Sequence, residues 1–169
     1  MNTSELLQEA FGRIHPLVVE VVDGLDADDL AWRPDEEANS IGWLVWHLLR
    51  VQDDHVAEVA GVEQAYTAKG WVRRFDLPLS DAATGYGHSP SDGAAVRVAS
   101  SELLVGYGAD VAAATTSYLD GLSEADLDRV VDERWDPPVT LAVRLVSVLD
   151  DDLEHVGQAA YVRGLLERR

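Results

Sequence analysis

Cysteine is absent from the 169 residues. The chain therefore offers no disulfide, no thiolate metal ligand and no cysteine nucleophile, and any thiol chemistry needs a thiol from outside. Lysine is almost absent as well: Lys69 is the single lysine, and arginine supplies the other basic side chains. Together 13 bases face 31 acids, for a formal net charge of -18. That field repels phosphate backbones and argues against nucleic acid as a partner. Long apolar runs are missing too. None approaches the roughly 20 residues that cross a bilayer, so no membrane partner is expected. The opening MNTSELLQEAF is laid out as a capped helix and not as a basic, apolar leader, which makes the cytoplasm the expected location.

What is present is a globular composition, 47% hydrophobic. The length suits one domain with a proper core, and a single domain over 1–169 is expected. Four long helical segments are predicted. The first runs from about Ser4 to Val22, with a kink at Pro16. The second, from about Ile41 to Glu63, is opened by Ser40 and shows aliphatic residues at Ile41, Leu44, Leu48, Val51 and Val59. The third covers roughly Ser101 to Leu119, after a short helical turn near residues 92–98. The fourth covers about Thr140 to Leu166, with Pro137 and Pro138 ahead of it. Between the second and third lies GWVRRFDLPLSDAATGYGHSPS, a turn-rich stretch of the kind that serves function or moves. No strand is expected beyond short runs such as 129–131.

A weak repeat adds a spatial hint. DGLDADDL at 23–30 returns as DGLSEADL at 120–127, each ahead of a long helix, and DDHV at 53–56 then falls on LEHV at 153–156. Helices two and four become counterparts, and His47 on one is expected to face His155 on the other across a bundle core. The plainer alternative is that both octets are common helix-exit turns.

On helix four, Asp151 and His155 are four apart and share a face with Val148 and Val162. An acid and an imidazole on a half-buried face are costly unless satisfied. A divalent cation satisfies both, and His47 supplies a third ligand. Three protein ligands with an open position is the arrangement of catalytic metal sites. A hydrogen-bonded polar network is the competing explanation. For His55 a core role is expected, with Asp54 or a backbone carbonyl as partner. His15 is expected at the surface or the kink. His88 is expected at the surface of a loop, Asp150 and Asp152 as solvated acids, and Trp46 off the core stripe as an interface residue of a homodimer.

The segments WLVWHLLRVQDDH and LEHVGQAAYVRGLL, with the four-helix outline, resemble the DinB-like superfamily. That superfamily also contains the N-terminal domain of mycothiol-dependent maleylpyruvate isomerase and the bacillithiol S-transferases. The resemblance implies an all-α, four-helix up-down bundle with a long irregular crossover between helices two and three. In such proteins the first metal histidine follows a tryptophan by four, here Trp43 and His47. Two more come as H-x-x-x-H before a Gly-Gln pair and a Tyr-Leu-Arg-like run. Gly157, Gln158 and YVRG at 161–164 match, and His155 falls on the last histidine. Asp151 stands where the family has histidine, which makes the set harder and more anionic. The resemblance thus implies a divalent ion, zinc or nickel, on His47, Asp151 and His155. It implies a metal-dependent S-transferase or isomerase that activates a low-molecular-weight thiol such as mycothiol, or water, against a small electrophile. A non-catalytic metal- or small-ligand-binding stress-response module is the alternative. Arg50, Arg73, Arg74 and His88 are candidates for an anionic substrate, with His88 able to close over a pocket; for each arginine, surface ion pairing with the surplus acids is the plainer reading. No further catalytic residue is assigned.

Overall fold

The computed structural model describes residues 1–169 and is an all-α bundle with one small hairpin. Helix α1 spans Thr3–Phe11 and α2 spans Ile14–Val22. The expected single kinked helix is therefore two helices, broken at Gly12 and Arg13. Pro16 lies in the first turn of α2, where its missing N–H costs nothing. The first octet of the repeat forms a turn and the short helix α3, Ala27–Ala31, capped by Asp26.

Helix α4, Ile41–Ala60, starts where the Ser40 hydroxyl accepts the Trp43 N–H and stops at Gly61 in left-handed backbone (φ 67°). Residues 40–50 are all buried. The aliphatic spacing thus understates α4, which is wrapped by neighbours on nearly every side. Three short helices follow in the crossover: α5 (Ala65–Ala68), α6 (Trp71–Phe75) and α7 (Pro90–Ala95). Then come α8, Ser101–Asp120, and a 3₁₀ turn, Glu124–Asp128, on the second octet. Strands β1 (Val130–Asp132) and β2 (Val139–Thr140) pair antiparallel, Val130 opposite Thr140. Thr140 caps α9, Leu141–Leu166, by accepting the Val143 N–H.

Helices α2, α4, α8 and α9 form the bundle, with α4 packed against both α8 and α9. Val18 and Val22, Leu44 and Leu48, Leu104 and Val111, and Val156 and Ala159 meet in one core. A smaller cluster of Phe11, Val59, Leu119, Leu141, Leu145 and Val148 closes one end.

A buried polar knot ties the crossover to α4. Arg50 is fully buried; it donates to the Ala83 carbonyl (3.0 Å) and to Gln64 Oε1 (2.8 Å), lies 3.6 Å from Asp53, and stacks over Tyr66. Asp53 accepts the Ala65 and Tyr66 N–H groups and the Tyr107 hydroxyl, each at 2.8 Å. Buried charges persist only when paired this fully. Arg50 is thus a buried structural clamp, neither an anion ligand nor a surface ion pair.

Candidate metal centre

Helices α4 and α9 bring His47, Asp151 and His155 together, with one ligand atom from each lying within 4.8 Å of the others. The His47 Nε2 is 3.9 Å from Asp151 Oδ1, and the two imidazole centroids are 4.7 Å apart. The repeat put His55 in register with His155, yet it is His47 that faces His155.

Both imidazoles are oriented by backbone carbonyls. His47 Nδ1 meets the carbonyl of Thr84, and His155 Nδ1 meets that of Asp151 at 2.9 Å. A carbonyl only accepts, so each Nδ1 carries the proton and each neutral ring keeps its lone pair on Nε2. A hydrogen bond from the other ring nitrogen that fixes the tautomer is the usual support of a metal-binding histidine. Trp43 stacks on the His47 ring, centroids 4.6 Å apart. Burial is the main cause holding the His47 pKa below its ordinary value, opposed by the Thr84 hydrogen bond and by Asp151. The ring is thereby kept in the form that coordinates a cation.

The donor set fits a divalent ion. Asp151 Oδ2 is buried without a hydrogen-bond partner, so the triad does not satisfy itself as a closed network. Three donors about 2.1 Å from a tetrahedral ion sit about 3.4 Å apart, so closure onto an ion needs side-chain shifts of about an ångström.

The crossover supplies one wall. Gly85 (φ 96°) packs so tightly that an added Cβ would fall 2.6 Å from His47 Nδ1. His88 accepts the Trp43 indole N–H at 3.2 Å and stacks near Trp46. His88 is therefore folded over the site and not free at the surface. Trp46 is 1% exposed, which removes it as an interface residue.

A cleft of about 740 Å³ opens from His47 and Asp151 toward solvent. One wall is aliphatic, with Val51, Val139, Val143 and Val148. The same cleft carries a charged cluster. Arg144 donates to Glu58 and to His55 Nδ1, each at 2.7 Å, and to Asp132 at 3.3 Å. An arginine only donates, so His55 Nδ1 must accept. His55 is thus a half-buried cleft residue and not a core histidine: it bonds Arg144, with the Asp54 and Glu58 carboxylates 4.0 and 3.9 Å away. Burial, then Arg144, lowers its pKa. Arg134 adds a bidentate pair to Asp132, at 2.9 and 2.8 Å, and those hydrogen bonds hold the Asp132 carboxyl far below the usual range.

The remaining candidates lie elsewhere. Arg73 and Arg74 are exposed on α6, away from the cleft, with Arg74 stacked on Trp71. His15 bonds the Val105 carbonyl at 3.0 Å and so joins α2 to α8. Asp150 is exposed as expected, but Asp152 is fully buried with both oxygens unpartnered, and burial raises its pKa well above the ordinary value. Sequence reasoning missed Thr84, whose backbone carbonyl leaves no trace in residue type, and also Arg144, Asp132 and Trp135. Gly85 beside Thr84 is the one signal that was available.

A family model described as mycothiol-S-transferase matches residues 6–168. A solved structure, described as the conserved protein of a locus from Enterococcus faecalis, is similar at TM-score 0.92 and 34% identity. The match covers 100% of this chain and 99% of that one. No curated protein matches.

Proposed function

The chain belongs to the mycothiol-S-transferase family within the DinB-like superfamily, and from that premise we propose that it joins a low-molecular-weight thiol to a small electrophile at a divalent ion held by His47, Asp151 and His155. The observation that carries the reading is convergence: two imidazoles with their Nδ1 atoms bonded to carbonyls and an unsatisfied carboxylate lie within 4.8 Å, and two of the three, His47 and Asp151, line an open cleft. Zinc and nickel both suit two imidazoles and one carboxylate. A divalent ion there lowers the pKa of the thiol it binds and fixes the sulfur in place.

The protein supplies the rest. Thr84 and the Asp151 carbonyl hold the two Nε2 lone pairs inward, and Trp43 holds the His47 ring plane. The valines of the cleft give the second substrate an apolar surface beside the triad. In the transfer, a carbon–sulfur bond forms, the electrophile's leaving group departs with its bonding pair, and the thiol proton passes to solvent. The absence of cysteine keeps the chain itself from competing for the electrophile.

Metal analysis of the purified, metal-supplemented protein should find close to one divalent ion per chain. His47→Ala and His155→Ala should abolish both the ion and conjugation of mycothiol to an electrophile panel, while His55→Ala should retain the ion. Full metal content in His47→Ala, or undiminished turnover without metal, would sink the reading.

A further inference from the structure

The cleft beside the triad carries information about the electrophile. Its charged groups are already spent on one another. Arg144 is 8% exposed and divided among Glu58, His55 and Asp132, and Arg134 is committed to Asp132. Arg134 keeps Nη1 without a partner, but its side chain is 80% exposed, so that charge lies in solvent and is screened. With a divalent ion in place, two arginines and the ion balance Asp54, Asp132, Asp151 and Glu58, so no net charge remains to attract an ion of either sign. An anionic substrate would either break a buried Arg144–carboxylate pair, leaving a carboxylate uncompensated, or settle for the solvent-exposed Arg134, where water and salt weaken the attraction.

The mouth is built differently. Tyr86, from the crossover, is 92% exposed, and Trp135, from the β1–β2 hairpin, is 67% exposed, yet both line this one cleft. Val143 beside them is also open to solvent. Large aromatic side chains left exposed on two separate loops around a shared opening offer flat apolar faces at low conformational cost. Apolar lining with few polar groups is what a small-molecule pocket presents to an uncharged ligand.

We propose that the electrophile is an uncharged molecule bearing a flat ring, held in the cleft against Trp135 and Tyr86 and discriminated from its carboxylate analogues because the cleft offers no buried, unpaired cation. The assignment rests on the thiol-transfer reading for its chemistry, but the ring subsite itself does not need turnover to be seen.

The test is equilibrium binding of two unreactive probes, dinitrobenzene and dinitrobenzoate, to the full chain with and without bound zinc. The neutral ring is expected to bind at least tenfold more tightly than the carboxylate. Trp135→Ala should weaken the neutral ring about tenfold while keeping the metal content of the parent, and Trp135→Phe should restore most of the affinity. Tyr86→Ala should weaken it severalfold. Equal or tighter binding of dinitrobenzoate overturns the proposal, as does an unchanged affinity in Trp135→Ala. Failure of both probes to bind overturns it too. A chain that binds the neutral ring but takes up no zinc supports this subsite while refuting the metal-centred transfer, so the two failures are distinct.

Discussion

Gly85 and Gly87 offer a matched pair of perturbations. Both have positive φ, 96° and 74°, so alanine at either strains the backbone by about 1–3 kcal/mol. For a chain of this size each kcal/mol lowers Tm by roughly 2–4 °C, which puts both variants about 4–8 °C below the parent for a strain near 2 kcal/mol. Their surroundings differ. A Cβ at Gly87 meets nothing within 4 Å, whereas one at Gly85 falls 2.6 Å from His47 Nδ1 and 3.2 Å from the Trp43 ring. Gly85→Ala must therefore move either the His47 ring or the segment that carries the Thr84 carbonyl. Loss of such an orienting contact typically weakens metal binding about 10- to 100-fold. Competition titration of zinc against a chromophoric chelator reads that affinity, and calorimetry with chelator present reads the stability. The expected result is a Tm loss in both variants, larger in Gly85→Ala because of the added clash, with the affinity loss confined to Gly85→Ala. Equal zinc affinities, or an equal loss in Gly87→Ala, would refute the role given to Thr84 and to the crossover wall.

Further outcomes follow from the same contacts. Arg50→Met should cost about 3–5 kcal/mol, because it strands the buried Asp53 carboxylate; chemical denaturation measures it, and a loss below about 1 kcal/mol would contradict the clamp. Asp152→Asn should raise Tm at neutral pH, since it removes the cost of burying an ionisable carboxyl whose oxygens have no partner; a lowered Tm would mean that the carboxyl is satisfied. His55 has a folded pKa below its unfolded value, so its contribution is complete above about pH 6.5 and is lost as pH falls through the folded value. The Tm difference between the parent and His55→Ala, measured in chelator, should therefore shrink on acidification, and a difference that grows would reverse the sign of the argument.

The parts of the site that were legible in the sequence are those written in side-chain spacing. Asp151 and His155 share a face because four residues make about one turn, and Trp43 stacks on His47 for the same reason. The bundle was legible through Ser40, Thr140 and the apolar periodicity between them. What escaped is whatever depends on the surroundings of a helix and not on its own pattern. Helix α4 reads as a striped surface helix, yet residues 40–50 are buried on all faces because the crossover covers the side away from α9. Trp46 and Arg50 were misplaced by the same effect, since polar and aromatic residues on the presumed outer face are the ones that a covering segment needs for contact. Asp152 shows the converse: flanked by acids in DDDLEH, it reads as solvated, but the heptad-like positions Leu145, Val148 and Val156 carry it into the core. The cleft is the least legible part, because it joins residues from α4, the crossover, the hairpin and α9. Its chemistry, paired charges and exposed aromatics lining one cleft, exists only once those four segments meet. Family membership therefore points to the triad, while the choice of electrophile has to be sought in the loops around it, in Tyr86 and Trp135 before any metal ligand.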